Sequence, residues 1–110
     1  MGASKSDHFT TDQNELSNIF KALGHPARIA IIQHILSSGT CICNDLVDIL
    51  PLSQATISQH LKELKVAKII QGSIEGNSIC YCLNTATIND VTDVLNGMLK
   101  IVSEQKTKCC

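Results

Sequence analysis

Six cysteines carry most of the reactive chemistry of this chain, and they occur as three close pairs. The pairs are Cys41-Ile42-Cys43, Cys80-Tyr81-Cys82 and Cys109-Cys110. In an extended segment, residues i and i+2 point to the same side, so each Cys-x-Cys segment can offer two thiolates to one ion. Thiolates bind soft ions such as Zn, Cd, Pb and Cu(I), and by the same softness trivalent arsenic or antimony.

Other uses of these cysteines have to be weighed beside a sensing site. A cysteine also behaves as a small hydrophobic residue, an alternative that applies best to Cys43. The thiols could hold a permanent structural zinc, or could be oxidised to a disulfide. Ile79, Tyr81 and Leu83 are predicted to be the buried phase of their strand, so we expect Cys80 and Cys82 to face outward.

A second group of polar side chains lies on one predicted helix, residues 53–67. Ile57, Leu61 and Leu64 recur at i, i+4 and i+7 and form its apolar stripe, while Ser53 is the expected N-cap. The opposite face is polar, and such side chains can hydrogen-bond base edges or reach phosphates. The residues expected to contact DNA are Ser53, Gln54, Ala55, Thr56, Ser58, Gln59, His60 and Lys62. His60 lies at the flank of the stripe, where it can also make a structural hydrogen bond.

The neighbouring segments can position this helix for DNA reading. Residues 44–50 have the pattern of a short helix, and Pro51-Leu52 is a tight connector, which is helix-turn-helix spacing. After the helix, an Ile69-Ile70 run, a turn region at 72–76 and the alternating residues 79–83 predict a two-stranded hairpin. A hairpin in this place is a wing.

These segments together resemble the ArsR/SmtB winged-helix repressors over residues 15–100. The resemblance rests on ALGHPARIAII, NDLVDILPLSQATISQHLKEL and SICYCLN. It implies a mainly α fold with a small β-hairpin wing (α+β). It also implies a homodimeric repressor that leaves its operator, an inverted repeat in double-stranded DNA, when a metal ion, a metalloid or a thiol oxidant reaches its sensor residues. By resemblance, Arg28 lies near DNA-facing or interhelical polar contacts, although a solvated first-turn arginine is the alternative.

The resemblance also bears on the ligand set. Some members carry a Cys-x-Cys pair directly before the Asp-Leu that corresponds to Asp45-Leu46, and that pair binds arsenite, cadmium or lead. Here Asn44 intervenes, and residues 1–40 contain no cysteine that could add a ligand. The family's zinc or nickel site on the last helix needs histidines that this chain lacks after His60. The expected ligands are therefore Cys41, Cys43, Cys80 and Cys82, with Cys109 and Cys110 as alternatives.

Three further helices are predicted around these segments. The first begins at Thr10 or Thr11 and ends at Gly24, and the second runs from Pro26 to Gly39. The expected core residues of the second helix are Ile29, Ile32, Ile35 and Leu36. The last helix, which starts near Asn84, carries a coiled-coil-like stripe at 3, 4, 3, 4 spacing, formed by Ile88, Val91, Leu95, Met98 and Val102. We expect this stripe to form a homodimer interface together with the first helix; packing within one chain is the alternative.

Composition bounds the remaining possibilities. With 110 residues, 44% of them hydrophobic and 17% charged, the chain is one globular domain. We expect a flexible arm at 1–10, the DNA-binding and dimerisation domain at 11–103, and a flexible tail at 104–110. The net charge of −1 lacks the basic character of many nucleic-acid binders, although Lys62, Lys65 and Lys68 are clustered.

The sequence also argues against several classes of protein. No signal peptide and no apolar run of roughly 20 residues is found, so we expect a cytoplasmic protein without a membrane partner. Cysteines in such a protein more often bind metals or undergo redox chemistry than form a disulfide framework. No catalytic triad, phosphate loop or organic cofactor motif occurs. A small thiol oxidoreductase, the alternative from another class, would need a βαβ context that is missing.

Topology suggests how the cysteines could meet. If residues 40–43 pair with the last strand of the wing, the two Cys-x-Cys segments lie side by side and up to four thiols converge. An ion bound there would tilt the wing and the preceding helix against the recognition helix and lower operator affinity.

Overall fold

The computed structural model describes residues 8–39, 41–43, 50–75 and 78–105. These residues form four helices and three strands. In chain order they are α1 (Thr11–Leu23), α2 (Pro26–Ser37), β1 (Cys41–Cys43), α3 (Gln54–Val66), β2 (Ile70–Glu75), β3 (Ser78–Leu83) and α4 (Thr85–Gln105). The helix predicted at 44–50 lies, apart from Leu50, outside the described residues. So do 1–7 of the predicted arm and 106–110 of the predicted tail.

The first two helices are delimited by local hydrogen bonds that fix where each begins. Thr10 and Gln13 form a reciprocal capping box at the start of α1, with N···O distances of 2.9 and 3.0 Å. After Gly24, the imidazole Nδ1 of His25 accepts a hydrogen bond from the Ala27 amide at 3.1 Å and caps α2, whose first residue is Pro26.

Helix α2 is the centre of the core, but the sequence prediction of its buried face was wrong in part. Ile31 and Ile35 are fully buried, whereas Ile29 and Leu36 are 41% and 55% exposed. The helix is apolar on most sides, so its hydrophobic pattern could not fix which side faces inward. The contacts of α1, α3 and the sheet select the face that carries Ile31 and Ile35.

Helix α3 agrees with the sequence prediction at both ends. The Ser53 side chain accepts a hydrogen bond from the Thr56 amide at 3.2 Å, as expected for the N-cap. At the other end, the amide of Lys68 donates to the Lys65 carbonyl and that of Ile69 to the Leu64 carbonyl, which is a Schellman motif. Lys68 takes a left-handed conformation, with φ +64°, and this turns the chain so that Ile69 packs beside Leu64.

The three strands form one antiparallel sheet in the order β1-β3-β2. Strands β2 and β3 are the predicted wing hairpin. The turn region predicted at 72–76 was wrong at its start, since β2 continues through Gly72 to Glu75. Gly72 lies opposite Tyr81, and a Cβ atom placed there would lie 3.4 Å from the tyrosine ring. A glycine in the strand therefore gives room to the ring rather than making a turn.

Helix α4 extends away from this core. The Asn84 side chain accepts a hydrogen bond from the Ala86 amide at 3.2 Å near its start, and the helix continues for 21 residues. Of the helices in the described part of the chain, none is long and apolar enough to cross a bilayer. The mainly α fold with a small β-hairpin wing is confirmed.

The burial of α3 gives a stability prediction with a control in the same helix. Leu64 is fully buried, so Leu64→Ala should lower the free energy of unfolding by about 2 to 5 kcal/mol. Val66, two residues later, is 71% exposed, and Val66→Ala should change it by less than about 0.5 kcal/mol. Urea denaturation of both variants tests the assignment. Equal losses at the two positions would contradict it.

Candidate nucleic-acid interface and thiol cluster

One face of α3 is polar and open to solvent, as the sequence predicts. The opposite face is buried through Ile57, Leu61 and Leu64. The predicted DNA-contacting residues that are exposed are Ser53, Gln54, Ala55, Thr56, Ser58, Gln59 and Lys62. A helix held by one apolar face and exposing amide, hydroxyl and ammonium groups on the other can enter a major groove and hydrogen-bond base edges.

Side-chain hydrogen bonds at i, i+4 spacing order the amides of this polar face. The Gln54 amide donates to the Ser58 hydroxyl at 3.2 Å, and the Gln59 amide donates to the Glu63 carboxylate at 3.0 Å. Each amide retains a carbonyl oxygen and a second N–H for another partner, and these are the groups that hydrogen-bond adenine. The Glu63 contact was not predicted, although its i, i+4 spacing from Gln59 is a signal that the sequence contains.

His60 is the exception among the predicted DNA contacts, and its inclusion was wrong. It is only 8% exposed, and its Nδ1 accepts a hydrogen bond from Arg28 Nε at 3.1 Å. The side chain therefore makes the structural hydrogen bond that its flanking position suggested. The Arg28 guanidinium also donates to the Ala22 carbonyl at 3.1 Å. Arg28 is thus an interhelical contact that joins α1, α2 and α3 rather than a solvated residue.

The surroundings of His60 favour its neutral form. Burial, then the neighbouring His25, then the Arg28 cation lower the pKa of His60. The rings of His25 and His60 lie 4.5 Å apart between centroids. Beside them is a cleft of about 660 Å³, lined by Asn18, Lys21, Ala22, Gly24, His25, Arg28, Glu63, Val66 and Ala67. No sequence pattern predicts the contact between the two histidines, because 35 positions separate them and only tertiary packing brings them together.

The two Cys-x-Cys segments lie side by side, as the topological argument predicted. Strand β1 pairs with β3, with Cys41 opposite Cys82 and Cys43 opposite Cys80. We call these four residues the thiol cluster. Between them, Ile42 is buried in the core and lies opposite Tyr81, which packs against it. Because side chains alternate along a strand, Cys41 and Cys82 belong to the other face of the sheet.

In this structure Cys41, Cys80 and Cys82 are oxidised. Cys41 and Cys82 form a disulfide, with their Cα atoms 4.0 Å apart, and Cys80 is also disulfide-bonded. The expectation that Cys80 faces solvent was wrong, since it is only 4% exposed. Strand β3 lies between β1 and β2, and both neighbours shield its central residue. Cys82, nearer the end of the strand, is half-buried.

The donor chemistry of the thiol cluster fits a soft ion, although no complete site is described. Among the described residues, no group of three or more His, Cys, Asp or Glu side chains could hold a metal ion. Cys109 and Cys110, the alternative ligands, lie outside the described residues. When reduced, Cys41 and Cys82 would present two thiolates across adjacent strands, and the register puts Cys43 opposite Cys80, two residues further along the same strands.

The predicted dimer stripe is left largely uncovered by the rest of the chain. Leu95, Met98 and Val102 are 47%, 54% and 69% exposed, and Ile88 is 36% exposed. Val91 is half-buried, beside a groove of about 500 Å³ between α1 and α4. Within the described residues, packing inside one chain therefore does not bury this stripe. Exposed apolar surface of this extent is typical of an interaction site.

Comparisons with known proteins agree with this arrangement. A family profile described as a helix-turn-helix domain matches residues 23–71. The chain is 33% identical over 89 residues to the transcriptional repressor SdpR of Bacillus subtilis, covering 81% of this chain and 94% of the relative. It is 32% identical over 95 residues to the arsenical resistance operon repressor of Staphylococcus aureus, covering 86% of each.

Solved structures give the same fold. An ArsR-like transcriptional regulator from Rhodococcus sp. RHA1 superposes with a TM-score of 0.69 at 23% identity, covering 86% of this chain and 89% of that one. At this identity the likeness concerns the fold alone. The relatives are DNA-binding transcriptional regulators, which confirms the expectation that the chain is not an enzyme.

The Cys41–Cys82 disulfide should have a measurable effect on stability. It closes a loop across 41 positions that contains α3 and β2, so its reduction should lower the free energy of unfolding by about 2 to 4 kcal/mol. Urea denaturation of oxidised wild type and of oxidised Cys41→Ser measures this difference, because the variant lacks this bond and keeps the disulfide of Cys80. A Cys41→Ser variant as stable as oxidised wild type would contradict the prediction.

Proposed function

Because the chain belongs to the ArsR/SmtB family of winged helix-turn-helix regulators, we propose that it is a homodimeric repressor that soft ions release from DNA. Its operator is an inverted repeat in double-stranded DNA. The ions act by binding the cysteine thiols. The observation that carries the DNA-binding part is the exposed polar face of α3 opposite a fully buried apolar face. An operator-binding protein works where the chromosome lies, in keeping with the expected cytoplasmic location.

Reading and anchoring of the operator are divided among different residues. Gln59 presents an amide that can pair with a base edge, whereas Lys62 presents a charge that any phosphate can attract. Lys65 and Lys68 follow on the same segment and are exposed. This local positive charge offsets the net charge of −1 where the backbone of the DNA would approach.

The two kinds of contact separate experimentally. Gln59→Ala should weaken binding to the operator more than binding to random DNA, by about 1 to 3 kcal/mol, because it removes a base contact. Lys62→Ala should weaken both and reduce the slope of log affinity against log salt by about 1. Fluorescence anisotropy across a salt series measures both effects.

Lys100→Ala on α4 is the matched control, since it removes a charge from a helix that is not the proposed reader. It should leave specific affinity and salt slope unchanged. If Gln59→Ala and Lys62→Ala also leave them unchanged, α3 is not the reading helix.

The dimer is proposed from the uncovered stripe on α4. Its apolar residues recur at coiled-coil spacing over four turns, and a symmetric pair would bury them against each other or against α1. A twofold symmetric protein presents two copies of α3, which explains why the operator should be an inverted repeat with half-sites about one helical turn apart.

A single charge on this stripe should prevent dimer formation. Leu95→Glu should give a monomer at micromolar concentration in sedimentation velocity and should lose operator affinity, because a buried unpaired carboxylate is costly. Asn96→Glu adds the same charge to the next, exposed position and should remain a dimer. A dimeric Leu95→Glu protein would show that the interface lies elsewhere.

The inducer is proposed from the thiol cluster. Arsenite, Cd, Pb and Zn are the ions that reduced cysteine pairs prefer, and the cross-strand register is what supports their joint use here. A bound ion would link β1, which leads into the helix-turn-helix, to β3 of the wing. Such a link can change the angle between the wing and α3 and so lower operator affinity.

A second candidate is favoured by the disulfide between Cys41 and Cys82. In this version, oxidation of the same thiols by a peroxide or a polysulfide, rather than ion binding, is the signal. The two versions use the same strands and differ in the chemistry that joins them. They are therefore distinguished by the redox state in which the protein leaves DNA.

Anaerobic titration distinguishes them. Reduced protein on a labelled operator should be released by arsenite or cadmium, with a thiolate charge-transfer band that saturates at the same ion concentration. Cys82→Ser should weaken both the binding of the ion and the release from DNA that the ion causes, since one ligand is lost. The double variant Cys109→Ser, Cys110→Ser should behave as wild type.

The opposite pattern would identify other sensors. Release by oxidation alone, with no response of the reduced protein to ions, would support the redox version. Unchanged ion affinity and DNA release in Cys82→Ser would eliminate the cross-strand site and leave Cys109 and Cys110.

A further inference from the structure

We infer that Arg28 and His60 are a positioning pair that holds α3 at the angle needed for operator reading, and that protonation of His60 releases this hold. The inference rests on the proposed DNA-binding function and adds protonation as a second signal that controls operator binding. Neither residue needs to touch DNA. The pair acts through the orientation of the helix that carries Gln59 and Lys62.

The geometry makes Arg28 a junction between three helices. Its Nε donates to His60 Nδ1 and its Nη1 donates to the Ala22 carbonyl, both at 3.1 Å. Ala22 is buried near the end of α1, Arg28 lies in the first turn of α2, and His60 is in the middle of α3. One guanidinium therefore fixes the distance from α3 to both neighbouring helices, in addition to their apolar contacts.

The hydrogen bond specifies the protonation state of His60. An arginine can only donate, so Nδ1 of His60 has to be the acceptor and its proton has to sit on Nε2. A doubly protonated His60 would face the guanidinium N–H with an N–H of its own. Two donors and two positive charges would then meet at about 3 Å inside a partly buried site, and Arg28 would have to move away.

Charged and titratable groups from all three helices surround the pair. From α1, Lys21 lines the adjacent cleft; from the start of α2 come His25 and Arg28; from α3 itself comes Glu63. Glu63 is the single carboxylate among them and accepts a hydrogen bond from Gln59. A proton added to His60 would create a charge in a buried position next to the Arg28 cation, in agreement with the lowered pKa of His60, for which burial is the first cause.

The sign of the pH effect follows from this lowered pKa. Above the ordinary imidazole range His60 is neutral and the hydrogen bond with Arg28 is intact. As the pH falls through the lowered pKa, His60 takes up a proton and the hold on α3 is lost. Specific operator affinity should thus be at its maximum near neutral pH and above, and should decrease in acid.

The reading function is sensitive to such a change, because His60 directly follows Gln59 on the helix. In a symmetric dimer both copies of α3 have to fit their half-sites at once, so a change of helix angle weakens the contacts at both half-sites. Binding to random DNA depends on phosphate contacts and tolerates a change of angle. The ratio of specific to non-specific affinity is the quantity that reports on the pair.

The test uses a variant that keeps the acceptor but cannot titrate. In His60→Asn, the amide oxygen takes the place of Nδ1, so Arg28 can still donate. For wild type, the ratio of operator to random-DNA affinity should fall about tenfold as the pH is lowered from about 8 until His60 is protonated, which is about the effect of losing one hydrogen bond to a charged group. His60→Asn should match wild type at the higher pH and show no such fall.

Matched variants separate this effect from general titration and from misfolding. His8→Asn removes an exposed histidine elsewhere and should keep the wild-type pH profile. Arg28→Ala should give the low ratio at every pH, and Arg28→Lys, which retains a cation and a donor, should restore it in part. If His60→Asn does not fold, nitrogen-15 NMR of wild type still reads the state of His60, which should be protonated at Nε2 alone near neutral pH.

Several outcomes would overturn the inference. They are a wild-type pH profile in His60→Asn, an unchanged ratio in Arg28→Ala, and a proton on Nδ1 of His60 at neutral pH. Failure of the proposed function looks different, because a protein that shows no preference for any operator at neutral pH has no ratio to lose. A protein that reads its operator equally well in acid and at neutral pH keeps that function and lacks the switch.

Discussion

Burial of one face of α3 is the constraint on which the remaining structure depends. Ile57, Leu61 and Leu64 insert into a core built around Ile31 and Ile35 of α2, and their removal from water is the main force that holds the helix in place. Because only one face is needed for this, the opposite face is free to carry amides, hydroxyls and a lysine. The capping bond of Ser53 and the left-handed turn at Lys68 then fix where the helix begins and ends. The length of the polar face is therefore set by groups that need not take part in recognition.

The sheet links that helix to the cysteines. Ile69 and Ile70 leave α3 as buried residues and start β2, which pairs with β3, and β3 pairs with β1. Ile42 and Tyr81 fill the side of the sheet that faces the core, so alternation assigns Cys41 and Cys82 to the other side. The alternation of side chains thus places Ile42 and Tyr81 against the core and places the thiols of Cys41 and Cys82 on the opposite face. Chemistry at these thiols acts on two strands that flank the helix-turn-helix in sequence.

Much of this could be predicted because its causes are local or periodic. The N-cap at Ser53, the stripe of α3, the wing and the cross-strand meeting of the Cys-x-Cys segments all follow from spacing and connectivity. The wrong burial predictions have one physical cause. Where the sequence pattern does not distinguish two faces of a helix or strand, tertiary contacts determine which face is buried. Helix α2 is apolar on most sides, so its buried face was assigned incorrectly at Ile29 and Leu36. Cys80 alternates away from the core, yet its place in the middle strand buries it. His60 is a polar residue of α3, whose polar face is otherwise exposed, but its hydrogen bond with Arg28, 32 positions earlier, holds it inside.

Two inputs of different chemistry can therefore act on one element. In the proposed mechanism, the thiol cluster acts on α3 through the C-terminal connection of this helix, where Lys68 and Ile69 lead directly into the sheet. The pair of Arg28 and His60 acts at the middle of the helix and from its other side, through α1 and α2. Coupling between distant sites requires an element with two arrangements that both sites bias, and α3 is the element that both of these contact through short covalent or hydrogen-bonded paths. The buried stripe opposes large displacements, because any separation exposes Leu64 or Ile57 to water. The motion open to α3 is then a rotation about that stripe, which keeps the apolar contacts and redirects the polar face, and a small rotation suffices to misalign two half-sites read together.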